Sequence, residues 1–267
     1  MNREPAVAGR FYPDDPQILR DDVKSHIDET AKKDFAIGAV SPHAGFKYSG
    51  DVAGSVFSRL EIPDTVILLG PNHTGLGERI SIMASGAWSM PFGELEIDRE
   101  LAQALLDASA RIFDSALAHQ SEHSLETQLP FLQYFREDFK IVPICLMKLS
   151  LEECRALSEA ITRAVKAAGK RVLIVASSDM SHYETHAAAS AKDKKAIDQI
   201  LKLDPEGLYE TVEENAISMC GVNPVTVMLM ASKEMGAAHA ELVKYMTSGE
   251  TSGNFDQVVG YAGIIVK

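Results

Sequence analysis

The sequence predicts an α/β fold with a mixed, mainly parallel sheet and helices on both faces. Continuous apolar runs, typical of strands buried on both faces, alternate along the chain with segments of helical periodicity. Three of these runs end in a polar loop that carries a histidine. Open α/β sheets place their ligands at the carboxyl ends of strands, so this arrangement indicates a site. Since no repeat, low-complexity tract or linker interrupts the chain, we expect residues 1–267 to form one domain.

The three histidine-bearing runs cover residues 35–40, 65–69 and 171–176. They lead into His43, His73 and His182 respectively. One histidine at a strand end is readily explained as a structural residue. Three at corresponding places suggest that their side chains share a function.

The first half of the chain contains three predicted helices. Apolar residues at helical spacing place them, in chain order, over 15–33, 50–60 and 99–108. Pro16 lies near the first turn of the first helix, where proline is tolerated. Shorter apolar stretches predict strands over 80–84 and 95–97, and the segment 86–93 is predicted to be a loop.

The second half contains longer helices, predicted over 122–136, 152–168, 187–201, 205–214 and 224–235. Ser121 is a candidate N-cap of the first, and Pro130 should kink it. Gly169 ends the second. Asn223 as N-cap and Pro224 at the first position predict the start of the last helix. Strands are predicted over 139–147, 240–246 and 257–266, with a loop over 247–254.

The composition limits the function classes. A net charge of −12 argues against nucleic-acid binding, which needs a basic surface. The sequence has no apolar run near the roughly 20 residues of a membrane span, and its first residues do not resemble a signal peptide. Three cysteines without repeated spacing do not indicate a disulfide framework, so we expect a cytoplasmic protein.

His43 and His73 are candidate metal ligands. Neutral imidazole is the commonest protein metal ligand, and two histidines at the ends of different strands can converge without a short motif. A catalytic metal needs about three protein ligands. Cys220 is the candidate third ligand because it lies just ahead of a predicted helix N-terminus, where the macrodipole favours a thiolate. The alternative is that each histidine caps a strand end and that Cys220 is simply buried, as expected for Cys145 and Cys154.

Asp179 and His182 are candidates for acid/base chemistry. A carboxylate can fix the tautomer of an imidazole and raise its basicity. The alternative is a turn in which Asp179 bonds local backbone groups. Glu122 and Glu126 lie at a predicted helix start, where they would complement the helix dipole, and His123 beside them can point into a pocket. No partner pattern accompanies the remaining histidines, which are His26, His119, His186 and His239.

Taken together, these motifs resemble the Memo family. The matching stretches span nearly the whole chain in order and are Pro5–Pro13, Pro42–Gly45, Tyr48–Gly50, Leu69–His73, Glu122–Glu126, Ser178–Tyr183 and Cys220–Gly221. The resemblance implies the fold of class III extradiol dioxygenases, the LigB-like architecture. Those enzymes hold non-haem Fe(II) with two histidines and one glutamate, and use a further histidine in acid/base catalysis.

Position by position, the resemblance implies roles for these residues. His43 and His73 would be the metal histidines, and Cys220 would take the place of the carboxylate. His182 would be the acid/base histidine, with Asp179 and His123 lining the same pocket. A thiolate extends the expected metals from Fe(II) to Cu and Zn, and it is oxidisable.

The resemblance therefore implies a metal-dependent, redox-active enzyme whose substrate is not specified. One alternative is a binding or scaffold protein that uses the pocket for a small molecule, a peptide or a small anion. Another is a zinc-dependent hydrolase, since a site of two histidines and one cysteine can activate water. The resemblance also implies AMMECR1-like and radical SAM proteins as partners.

Overall fold

A large mixed β-sheet forms the centre of the molecule. The computed structural model describes residues 2–267, and over this range it contains twelve strands in two sheets. The strands are β1 (Asn2–Arg3), β2 (Gly38–Ser41), β3 (Thr65–Pro71), β4 (Ile80–Ile82), β5 (Ala87–Trp88), β6 (Leu95–Glu96), β7 (Phe113–Asp114), β8 (Lys140–Leu146), β9 (Val172–Ser177), β10 (His182–Glu184), β11 (Ala240–Thr247) and β12 (Val258–Val266). The small sheet has the order β1-β5-β6, and the other nine strands form the large sheet.

Helices connect most of the strands of the large sheet. They are α1 (Pro16–His26), α2 (Phe46–Phe57), α3 (Arg99–Ala108), α4 (Leu129–Phe135), α5 (Leu151–Ala168), α6 (His186–Leu201), α7 (Pro205–Glu214), α8 (Val222–Glu234) and α9 (Gly249–Ser252). Two 3₁₀ turns cover Ala116–His119 and Glu126–Gln128. None of these helices combines the length and apolar character that crossing a bilayer requires.

Four parallel strands form the middle of the large sheet, in the order β2, β9, β3, β8. Their apolar sequences are explained by burial, since β2, β3 and β9 are buried along their whole length. β12 pairs antiparallel with β2, and β4 pairs antiparallel with β8. The predicted mixed α/β sheet is confirmed, with its parallel part concentrated at the centre and antiparallel strands on either side.

Helices cover both faces of this sheet. α8 packs across β2, β9 and β3, and α5 and α7 pack against α8. α2 packs against β2, β11 and β12, with α1 and α4 against α2. The strand ends that carry the predicted site therefore emerge from between two helical layers.

The first helix is shorter than predicted. It ends at His26 rather than at residue 33, and Ile27 has an extended backbone. After it, the carboxylate of Asp28 accepts the backbone N–H of Thr30 at 2.9 Å. Such a side-chain bond stabilises a turn and competes with helix, which explains the early end.

The prediction of one helix over 122–136 is wrong in its first half. The backbone N–H groups of His123 and Ser124 each donate to the carboxylate of Glu122 at 2.9 Å. These bonds stabilise a loop, so helical structure starts only at the 3₁₀ turn that precedes α4. Pro130 consequently lies in the first turn of α4, where proline is tolerated and causes no kink.

Three further local predictions need correction. α8 begins at Val222 with Gly221 as its N-cap, so Asn223 lies inside the helix. The Asn223 side chain instead bonds the backbone N–H and carbonyl of Leu149, at 3.1 and 3.0 Å. A strand (β5) and a one-turn helix (α9) form in segments that were predicted to be loops.

Candidate metal centre

Three histidine side chains meet at the carboxyl end of the central strands. Ligand atoms of His43, His73 and His123 all lie within 4.8 Å of one another. The rings of His73 and His123 stack with their centroids 4.7 Å apart. The ring of His43 stands edge-on to both, at 5.2 Å from His73 and 5.4 Å from His123. Three imidazole nitrogens this close together can hold a metal ion.

The strand order explains why two of these histidines meet. β2 leads to His43 and β3 leads to His73, and β9 lies between the two strands and pairs parallel with both. Ala39 of β2 and Leu68 of β3 are both opposite Val175 of β9. The two loops therefore leave the sheet at the same edge and at the same level.

Gly70 explains how the third histidine reaches the other two. A Cβ at Gly70 would lie 2.6 Å from the side chain of Leu125 and 2.7 Å from Oγ of Ser124. Without this Cβ, Ser124 Oγ donates to the carbonyl of Pro71 at 2.9 Å. The loop that carries His123 is thereby held against the end of β3.

The partners of His43 determine which of its ring nitrogens faces the cluster. The hydroxyl of Ser177 donates its single proton in a hydrogen bond to the carbonyl oxygen of Ser124, 2.6 Å from Oγ. Gln128 Nε2 donates to Ser177 Oγ at 2.9 Å. Ser177 Oγ, 2.8 Å from His43 Nδ1, can therefore only accept from that nitrogen. His43 Nδ1 carries the proton, and Nε2, which faces Cys220 Sγ at 3.3 Å, has the free lone pair.

His73 is oriented by a buried carboxylate. Its Nδ1–H donates to Glu122 Oε1 at 2.9 Å, and its backbone N–H donates to Oε2 at 2.5 Å. This arrangement directs Nε2 away from Glu122, as a carboxylate does for many metal-bound histidines. Glu122 was predicted to complement a helix dipole, and that interpretation is wrong because the residue is not in a helix.

Burial and neighbouring charges shift the pKa values of the clustered side chains in different directions. Burial and then the neighbouring histidines lower the pKa of His43, so its imidazole is neutral and able to ligate. Burial also lowers the pKa of His123. For His73, burial is outweighed by the hydrogen bond and the charge of Glu122, which raise its pKa. Burial opposes ionisation of Glu122, but the bonds from His73 and the backbone lower its pKa to about 2.

Cys220 lies against one side of the cluster. Its Sγ is 3.3 Å from His43 Nε2, although over residues 2–267 the group of ligand atoms within 4.8 Å contains only the three histidines. Burial, and then the negative charge of Asp179, raise the pKa of the Cys220 thiol. The prediction that the helix dipole favours a thiolate at Cys220 is therefore wrong for the protein without a bound cation. A bound cation would reverse this preference.

Gly221 allows Cys220 to come this close. A Cβ at Gly221 would lie 2.4 Å from both the carbonyl oxygen of Ser177 and the Cβ of Ser178. The Gly221 N–H instead donates to Ser178 Oγ at 3.0 Å. The turn before α8 is thereby packed directly onto the end of β9.

Asp179 and His182 have different partners from those predicted. Asp179 Oδ1 accepts the backbone N–H of His43 at 2.8 Å, and burial raises the pKa of its carboxyl group. His182 Nδ1 is 2.9 Å from the carbonyl of Ser218, which can only accept, so Nδ1 carries the proton and Nε2 is free. Asp179 therefore positions the His43 loop, and Ser218 orients His182.

Several of these supporting residues were not predicted. Glu122 is adjacent in sequence to His123, and Ser177 lies two residues before Asp179, so nearness to predicted site residues was the available signal. Gln128 and Ser218 carry no such signal, because their importance arises only from contacts that folding creates.

A cleft of about 310 Å³ leads to the cluster. His73 and Cys220 line it on the side of the metal centre. Much of the remaining lining is apolar and comes from the end of β8, from α7 and from the segment before α8. At the rim, Lys148 Nζ pairs with Glu213 at 2.9 Å.

Comparison with solved structures supports the fold. An uncharacterized protein from Escherichia coli K12 has a solved structure with a TM-score of 0.55 to this chain. The alignment covers 85% of this chain and 98% of that one, at 12% identity, and shows a shared fold.

Sequence comparison is more specific. A MEMO1 family protein of Methanopyrus kandleri is 43% identical over 281 residues, covering 100% of this chain and 99% of the relative. A MEMO1 family protein of Methanococcoides burtonii is 46% identical over 268 residues, covering 99% and 100%. The profile of the family described as Memo-like protein matches residues 3–265. The resemblance read from the motifs is confirmed, and the chain belongs to the Memo-like family.

Proposed function

We propose that this protein is a metal-dependent redox enzyme, with Fe(II) as the expected metal and copper or zinc as alternatives. The observation that supports a metal is the group of three histidines with ligand atoms within 4.8 Å of one another. These residues fit a metal ion. His43 and His73 both hydrogen-bond through Nδ1 to other side chains, which leaves Nε2 to coordinate the ion.

In the proposed assignment His43, His73 and Cys220 hold the ion. A thiolate beside two imidazoles suits iron, copper and zinc. His123 is the rival third ligand, because it belongs to the group of close ligand atoms. If Cys220 is the ligand, His123 is free to hydrogen-bond a substrate in the same space.

Other side chains supply the remaining functions. A bound ion would contribute Lewis-acid activation and, for iron or copper, electron transfer. His182, with Nδ1–H held by Ser218, offers Nε2 as a base that takes or returns a proton. Asp179 holds the amide of His43 and so maintains the position of that imidazole. The apolar walls of the cleft would bind the unreactive part of a small molecule.

Metal content tests the assignment. Protein purified anaerobically without a chelating tag should contain close to one metal ion per chain by ICP mass spectrometry, and His73→Ala should contain almost none. His239→Ala is the matched control, because His239 is exposed and outside the group. Metal content that is the same in His73→Ala and in wild type would contradict the proposal.

A binding protein is the second candidate. Lys148 at the rim and His73 in the lining of the cleft can attract a peptide or small anion without any reaction. Oxygen consumption by the Fe(II)-loaded protein over a panel of catechols and thiols distinguishes the two. The absence of turnover together with tight anion or peptide binding would favour the binding protein, whereas chelator-sensitive ester hydrolysis would favour a zinc hydrolase.

Partnership with AMMECR1-like and radical SAM proteins stays a prediction.

A further inference from the structure

Residues 2–13, here called the N-terminal segment, contact the loop that carries Glu122 and His123. Arg3 makes the central contact, and only 4% of its surface is exposed. Arg3 Nε donates to the carbonyl of His119 at 2.6 Å, and Nη2 donates to the carbonyl of Glu122, also at 2.6 Å. One guanidinium thus holds two carbonyls of the loop in a fixed relation.

The guanidinium is itself held in place. Nη2 also pairs with Glu126 Oε2 at 2.6 Å, and the planar group lies over the ring of Trp88, with Cζ 4.0 Å from its centroid. A planar fork with five donors can satisfy these partners together, whereas a single ammonium cannot hold them in the same geometry.

Glu126 attaches the rest of the N-terminal segment. Its carboxylate is fully buried and accepts, besides Arg3, the backbone N–H groups of Ala6 and Val7 at 2.8 and 3.0 Å and the hydroxyl of Tyr12 at 2.7 Å. Four donors on one carboxylate are the pattern of a buried charge that is fully compensated.

This contact leads directly to the metal centre. The residue whose carbonyl Arg3 holds, Glu122, is the one whose carboxylate orients His73. In addition, the ring of Phe11 packs on His123, with centroids 4.9 Å apart. The N-terminal segment therefore contacts the support of His73 and the ring of His123 itself.

We infer that Arg3 is a positioning residue of the metal centre. Its bonds to the carbonyls of His119 and Glu122 set the position of the Glu122 carboxylate and, through it, the direction of His73 Nε2. The inference depends on the proposed function for its consequence, metal affinity, and on geometry alone for its structural part.

Arg3→Lys is the test, because it keeps the positive charge beside Glu126 but loses the fork to the two carbonyls. Loss of an outer support of a metal ligand typically weakens affinity about tenfold to a hundredfold, and we expect that range for Fe(II) and Zn²⁺ in competition titrations. Tyr12→Phe is the matched control. It removes one bond from Glu126, leaves both Arg3–carbonyl bonds, and should bind metal as wild type does.

A second measurement needs no metal. In proton NMR spectra of the metal-free protein, Nδ1–H of His73 should appear downfield in wild type and Tyr12→Phe, because it donates to Glu122. In Arg3→Lys this signal should move upfield or be lost to exchange. If Arg3→Lys does not fold, the paired variant Arg3→Met with Glu126→Gln replaces it, since no unpaired charge is then buried.

The outcomes separate the two proposals. Wild type that binds no metal contradicts the proposed function, while the NMR comparison still tests Arg3. An Arg3→Lys variant with wild-type metal affinity and an unchanged His73 signal overturns the positioning role.

Discussion

The hydroxyl of Ser177 decides which nitrogen of His43 faces the cluster. Its single proton is used by the carbonyl of Ser124, so it must accept from His43 Nδ1. The same logic holds at His73, where Glu122 accepts Nδ1–H. At the scale of residues, the site is thus prepared by hydrogen bonds that fix tautomers before any ligand arrives.

Cobalt substitution tests whether Cys220 is the third ligand. With Co²⁺ bound, a cysteine ligand gives a thiolate-to-metal charge-transfer band in the near ultraviolet, because sulfur is a soft donor. We expect this band in wild type and in His123→Asn, and its loss in Cys220→Ser. If wild type lacks the band and His123→Asn loses the metal, His123 is the third ligand instead.

The pair of Glu122 and His73 predicts a pH-dependent stability. Glu122 has a pKa lowered to about 2, so its stabilisation is present above its usual value of 4.5 and is lost as pH falls through its folded value. The pKa of His73 is raised from 6.5, so the contribution of His73 to stability is present below pH 6.5 and is lost as pH rises through the raised value. The pair therefore stabilises most between pH 4.5 and 6.5.

Glu122→Gln should lower the free energy of unfolding by about 2 kcal/mol in that window, the size of a charge-assisted hydrogen bond. The difference from wild type should shrink at lower pH. Urea unfolding at a series of pH values measures it, with the exposed Glu210→Gln as control. A difference that does not vary with pH would argue against the assigned ionisation.

At the scale of elements, close packing of chain segments places the third and fourth candidate ligands. The loop before α4 reaches β3 because Gly70 has no side chain, and the turn before α8 reaches β9 because Gly221 has none. Both contacts are too short for a Cβ, and at Gly221 one of the opposing atoms belongs to the backbone, which cannot rotate away.

Gly221→Ala should therefore displace the turn and Cys220 with it. We expect a loss of about 3 kcal/mol in the free energy of unfolding, at the upper end of overpacking effects, together with weaker metal binding. Gly45→Ala is the matched control, because its Cβ would come no closer than 3.5 Å to another residue. Equal unfolding free energies and metal affinities in the two variants would refute this explanation of the turn.

At the scale of the whole molecule, the sheet gathers residues that are far apart in sequence. β2, β9 and β3 are neighbours in space but not in chain order, so their terminal loops meet at one edge. The N-terminal segment then closes the assembly by binding the loop that carries Glu122. The candidate metal centre consequently draws on residues that are spread along the chain from Arg3 to Cys220.

The amino-acid sequence alone established the α/β class, the strands that become β2, β3 and β9, and His43 and His73 as candidate ligands. These are local properties, because an apolar run followed by Gly or Pro and a histidine is legible without knowing its neighbours. Helix ends were harder to predict. The carboxylates of Asp28 and Glu122 accept nearby backbone N–H groups and so compete with helix formation, and hydrophobic periodicity does not reveal this competition.

The family resemblance placed His123 in the same pocket, but the folded chain was needed to show its ligand atom close to those of His43 and His73. The folded chain was also needed to pair Glu122 with His73 and Asp179 with the amide of His43. Glu122 and His73 are 49 residues apart, and Asp179 and His43 are 136 apart. Such partners are selected by strand order and close packing. Both depend on which distant segments bury each other, and no local pattern of residues encodes that choice.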